Sequence, residues 1–184
     1  MNKNILGLLF LLPTSAMAEP TSIYNLSLSG GSYEKDHSNN NTTRFLLSAN
    51  YLINQNVFST VEVDYFEDSE DTVKYFLGLG YQKVVLSNSS AYVSLSYGMR
   101  ERVGEYDESV NGFKLNAGYV SAFNNNLDMF LEADFEKFDK TYENDNNELE
   151  TLISAGVNYK FSKNFASNFS VNNKGVILGV MYNF

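Results

Sequence analysis

Apolar residues recur at every second position along most of this chain. Between positions 43 and 53, Thr43, Phe45, Leu47, Ala49, Tyr51 and Ile53 share one face. Arg44, Leu46, Ser48 and Asn50 share the other. A helix would bring apolar residues together at intervals of three and four; a period of two belongs to a strand. The pattern returns at Val57-x-Ser59-x-Val61-x-Val63-x-Tyr65, at Val73-x-Tyr75-x-Leu77-x-Leu79-x-Tyr81 and at Ala91-x-Val93-x-Leu95-x-Tyr97-x-Met99. It returns again at Phe113 to Tyr119, Met129 to Phe135, Ile153 to Tyr159 and Val176 to Phe184. Weaker versions cover residues 22–32 and 165–171.

These segments predict ten strands, at about 22–33, 42–54, 56–67, 72–83, 90–103, 110–123, 127–139, 150–161, 164–172 and 175–184. Most exceed the ~5–6 residues usual for strands in soluble proteins. They match the ~9–11 residues that a tilted strand needs to cross a bilayer. Short connections near 54–56, 84–89, 124–126 and 161–164 alternate with longer polar ones at 33–41, 67–72, 103–110 and 139–150. Asn172-Asn173-Lys174-Gly175 reads as a tight hairpin turn. That rhythm predicts an all-β, up-and-down antiparallel transmembrane barrel, with eight strands as the alternative if 164–184 is miscounted.

Ahead of the strands, Lys3, the apolar run Ile5 to Leu12 and Ala16-Met17-Ala18 have the order of an export signal and its cleavage site. Residues 1–18 are expected to be a signal peptide and 19–184 one barrel domain. Both prolines, Pro13 and Pro20, precede the strands, so no ladder is interrupted. The chain has no cysteine, so closure must come from something other than disulfides. Without Lys3, 12 basic residues face 22 acidic ones. That excess argues against nucleic acid as a partner, since phosphate binding needs clustered Lys and Arg.

A soluble barrel also alternates, but it packs its apolar face inward. Here the polar faces carry full charges at strand centres: Arg44, Glu62, Asp64, Lys74, Arg100, Arg102, Lys114, Glu132, Asp134 and Glu136. A soluble core would pay heavily for them. Turning the apolar stripes outward to lipid and the charges into the lumen resolves the conflict. Both signs at similar depth predict a salt-bridge network across the lumen. Inward Phe58, Phe66, Phe76, Tyr92, Phe130 and Phe138 predict a plugged or very narrow interior. Inward Gly78, Gly80, Gly98, Gly118, Gly156 and Gly179 keep a narrow polar channel open as the alternative. Tyr24, Tyr51, Tyr81, Tyr119, Tyr159 and Tyr182 all fall on apolar faces at the turn ends of their strands, as an aromatic girdle requires. A soluble lipocalin-like carrier is the competing architecture.

The signal peptide, the alternating strands and the final Val176-x-Leu178-x-Val180-x-Tyr182-x-Phe184 resemble the small outer-membrane β-barrels of the OmpA/OmpX and small-porin kind. In size and in the short last hairpin the chain is also similar to YfaZ-like proteins. The resemblance implies a cell outer-membrane location with both termini periplasmic. It implies contact with lipid and lipopolysaccharide, and recognition of the terminal strand, with Phe184 as assembly signal, by the outer-membrane assembly machinery. It covers the mature chain in pattern and speaks to architecture more than to function.

The single histidine, His37, sits in a predicted loop between Asp36 and Ser38. Barrel-borne hydrolases need a histidine held against acidic or hydroxyl partners. Adjacency in sequence does not supply that geometry, and a solvated loop histidine is the ordinary reading. The long loops hold 14 of the 22 acidic residues, among them Glu34, Glu67, Asp71, Glu108 and Glu150, and the four short turns hold none. Divalent-cation bridging to lipopolysaccharide is one use for them; a solvated, repulsive face is the plainer one. No Cys/His cluster, phosphate loop or nucleophile elbow is present, so no metal, cofactor or catalytic residue is expected. The sequence therefore predicts a non-enzymatic, monomeric membrane barrel with a structural or surface-interaction role, and a narrow porin-like channel as the second class.

Overall fold

A computed structural model describes residues 25–34, 41–67, 71–103, 108–139 and 149–184. Tyr24, His37, the expected signal peptide at 1–18 and most of the loop carboxylates lie outside the described residues. Ten strands run in chain order. They are β1 (Asn25–Glu34), β2 (Asn41–Leu52), β3 (Val57–Glu67), β4 (Asp71–Leu86), β5 (Ser89–Val103), β6 (Glu108–Asn124), β7 (Leu127–Phe138), β8 (Glu150–Lys160), β9 (Phe165–Asn172) and β10 (Gly175–Asn183). Each pairs antiparallel with its sequence neighbours, and β1 pairs with β10 from Asn25↔Asn183 to Tyr33↔Gly175. The sheet is thus a closed barrel with no free edge, which is the condition for placing strands in lipid.

The strand ends differ from the predicted ones chiefly on one side. β4, β5 and β6 reach 16, 15 and 17 residues. Register shifts at Val84/Leu86 and Ala122/Asn124 mark bulges that let the ladder continue beyond where the alternation breaks. The link expected at 84–89 shrinks to the two-residue turn 87–88. Glu34, Glu67, Asp71, Glu108 and Glu150, grouped with the loops by sequence, are strand residues.

Leu28, Leu47, Leu77, Leu95, Leu131 and Leu178 are exposed on the outer surface, each at mid-strand. An exterior of this kind suits hydrocarbon, not water. Following ladder partners round the barrel moves the register by about twelve residues per circuit, the stagger of tilted strands. Tyr51, Tyr81, Tyr119, Tyr159 and Tyr182 are offset along their strands by matching steps. They therefore share one height on the outside, near the turn end. Phe45, Tyr65, Tyr75, Tyr97, Phe113 and Phe135 share a second height toward the loop end by the same offset.

A closed lumen as the candidate functional site

The inward side chains follow from strand parity, and the stagger decides which of them meet. Arg44 on β2 reaches diagonally to Asp64 on β3, Nε to Oδ1 at 2.8 Å and Nη2 to Oδ2 at 2.7 Å. Lys74 on β4 crosses the lumen to β7 and β8, donating to Glu136 at 2.7 Å and Glu150 at 2.9 Å. Lys114 on β6 donates to Glu62 at 2.7 Å, with Glu136 at 3.5 Å and Asp134 at 3.6 Å. Three cations thus tie together six strands, β2, β3, β4, β6, β7 and β8. Arg44, Asp64, Lys74, Lys114, Asp134 and Glu136 are all buried. Ions removed from water in this way hold only because each has a close partner of opposite sign.

Aromatic rings complete the closure at the loop end. Tyr33 and Phe66 meet edge-on with centroids 5.2 Å apart, and Leu152 joins them in one buried cluster. Phe76 and Phe138 are 5.7 Å apart. The Arg44 guanidinium lies 5.4 Å from the Phe66 centroid and the Lys74 ammonium 5.0 Å from it. Arg100 stands 5.1 Å over Phe138. Each cation therefore has a carboxylate, a ring face or both beside it. Arg102 sits one inward step nearer the loops, opposite Thr72 and Glu108 in the ladders.

Glu132 is placed differently from the other inward acids. It accepts from the Tyr92 hydroxyl at 2.7 Å and from the Asn116 amide at 2.6 Å. The same Asn116 amide group donates to Asp134 at 2.6 Å.

Three members of the cluster were not singled out by the sequence. Glu150, counted as a loop acid, turns inward and accepts from Tyr33 Oη at 2.5 Å, Lys74 and Lys174 Nζ at 3.1 Å. The inward parity of Ser154 and Gly156 carried two steps back along β8 would have found it. Tyr33 lies just past the clear alternation of β1, and Lys174 falls in the expected hairpin turn. A separate pair, Lys160 with Asp128 at 3.0 Å, lies at the turn end.

The inward glycines do not leave a channel where they face aromatic residues. In the ladders, Phe58 is opposite Gly80, Phe76 opposite Gly98, Tyr92 opposite Gly118, Phe138 opposite Gly112 and Phe130 opposite Gly156. A Cβ on Gly80 would stand 2.1 Å from Phe58 Cζ, and one on Gly118 would stand 2.2 Å from Tyr92 Cζ. The glycines are the floor on which the rings lie. Below the plug, toward the turn end, a cavity of about 210 Å³ remains. Ser27, Ser29, Ser154 and Ser170 line one wall; Phe58, Tyr92, Phe130, Glu62 and Glu132 line another.

No protein-family model matches the chain, and no curated protein matches it in sequence. Solved structures do match. The NanC porin aligns over 86% of this chain and 100% of its own, at 10% identity and a TM-score of 0.50. The KdgM porin in complex with disordered oligogalacturonate aligns over 87% and 99%, at 14% identity and a TM-score of 0.48. A de novo designed transmembrane β-barrel aligns over 86% and 93%, at 17% identity and a TM-score of 0.45. At 10% identity the likeness to the NanC porin is one of fold.

Proposed function

We propose that this chain is an integral protein of the bacterial outer membrane, of the small OmpA/OmpX-like or small-porin kind. Its role is structural and at the surface rather than catalytic. It acts as a monomer. The short turns and both chain ends face the periplasm, and the longer acidic connections face outward. The two levels of outward aromatics lie at the two water–lipid interfaces. The partners are outer-membrane lipid, lipopolysaccharide and, through β10 and Phe184, the assembly machinery.

One observation carries the choice of a closed barrel over an open pore. The loop half of the lumen is filled by the Arg44–Asp64 and Lys74–Glu136 pairs, packed against Tyr33, Phe66 and Phe138, all of them buried. An ion crossing there would have to part charges whose separation in a dry interior is costly. Planar-bilayer recording of the refolded mature protein tests this. The folded wild type carries no steady current, and a Tyr33→Ala/Phe66→Ala variant shows discrete openings. Stable channels from the wild type would replace this reading with the narrow porin.

A further inference from the structure

The lumen below the plug has a composition that the closure does not require. Its wall at β1, β8 and β9 is built from small hydroxyls and amides: Ser27, Ser29, Ser154, Ser170, Asn158 and Asn168. The rings of Phe58 and Tyr92 lie across from it and that of Phe130 stands beside it on β7, each ring held over a glycine of the next strand. Between the rings stand three carboxylates, Glu62, Glu132 and Asp134, and two cations, Arg44 and Lys114, also line the space.

The cations do not balance the acids. Arg44 spends both guanidinium contacts on Asp64, which lies outside the cavity. Lys114 is shared among Glu62, Asp134 and Glu136. Among the described residues, the donors to Glu132 are the neutral Tyr92 and Asn116. Neutral donors hold a carboxylate in place without cancelling its charge. The cavity therefore carries uncompensated negative charge beside aromatic rings, and a volume of about 210 Å³ has room for on the order of a dozen waters.

We propose that this cavity binds a small organic ammonium ion, its charge against Glu132 and Glu62, its carbon skeleton against Phe58, Tyr92 and Phe130. The chemistry is that of cation recognition: a carboxylate for the charge and ring faces for the polarisable methylenes. The wall of serine and asparagine receives the remaining N–H groups or water. A negative cavity disfavours an acidic solute by the same field. The proposal rests on the closed-barrel reading in one respect: with the loop half plugged, the ligand arrives from the turn end.

Calorimetric titration of the refolded barrel in detergent with putrescine tests it, with glycerol and acetate as neutral and anionic controls. Putrescine is expected to give a saturable single-site isotherm that neither control gives. Glu132→Gln should weaken it about tenfold, the scale of one charge-assisted contact. Ser154→Leu, which fills the cavity from β8 beside Glu132 and removes no charged group, should abolish it. Lys83→Gln on the outer surface should change nothing. The proposal is overturned by no heat with putrescine, by equal binding of glycerol or acetate, or by an unchanged isotherm in a folded Glu132→Gln or Ser154→Leu variant. Heat-modifiable gel mobility establishes which variants are folded, and Ser154→Leu decides the matter should Glu132→Gln not fold. Bilayer conductance of the same preparations separates the two readings: steady wild-type current defeats the closed barrel, whereas the isotherms alone decide the ammonium site.

Discussion

Arg44 and Asp64 form a two-point contact inside the lumen, 2.8 and 2.7 Å, with the Asp64 side chain wholly removed from solvent. The pair joins neighbouring strands, and its cation also rests on the Tyr33 and Phe66 rings. Removing either partner leaves the other as a buried lone charge. Asp64→Ala or Arg44→Ala is expected to cost about 3–5 kcal/mol of folding stability. The double variant Arg44→Met/Asp64→Leu should recover most of that loss, because no charge is then stranded. Urea unfolding in lipid vesicles measures both; a double variant no better than the singles would mean the pair is not coupled.

The glycine floor gives a second prediction. Gly80→Ala forces its Cβ against Phe58, at a built distance of 2.1 Å, and should cost about 1–3 kcal/mol as overpacking. Phe58→Leu made in the same chain should relieve the clash. Unfolding midpoints of the two variants check it, and equal stability of Gly80→Ala and wild type would remove the floor from the account.

The outer surface can be tested for lipid contact directly. Leu95 lies midway along β5 on the outer face and is 59% exposed. In water an arginine there would be harmless. In hydrocarbon Leu95→Arg is expected to cost about 2–4 kcal/mol. Stability unchanged in vesicles would count against the membrane orientation.

Phe184 stands 5.6 Å from Tyr182 in an edge-on contact at the end of the chain. As an assembly signal it should matter in cells more than in the test tube. Deleting Phe184 is expected to lower the folded fraction recovered from outer membranes several-fold, on the order of the loss of one recognition contact. Refolding into detergent should stay close to wild type. A parallel drop in both would assign Phe184 to stability instead.

The charges of the plug bear on ionic strength. Asp64, Lys74 and Glu136 are buried and lie outside the cavity, so salt screens them weakly. Raising sodium chloride to about 1 M, where the screening length is about 3 Å, should leave the unfolding midpoint nearly unchanged. A fall of several tenths of the midpoint denaturant concentration would show that water reaches the cluster.

Much of this molecule is written in the period of two. A strand flanked by lipid on one side and a filled lumen on the other must alternate, because each successive Cβ points to the opposite face. That is why Leu47, Leu77 and Leu131 could be assigned to the outside, and Asp64, Lys74 and Glu136 to the inside, without coordinates. Alternation within a strand carries no information about the stagger between strands. Lys74 and Glu136 are 62 residues apart and meet only because closure and tilt bring β4 opposite β7. The same stagger seats Phe58 on Gly80, draws Glu150 from a loop terminus to Tyr33 and Lys74, and leaves Glu132 with neutral donors beside an open cavity. The sequence by itself determined the face on which each side chain lies and left ten strands against eight, which the β1–β10 closure decided for ten. Only the closed tertiary structure decided which charges neutralise one another, because that depends on the register of ten ladders taken together.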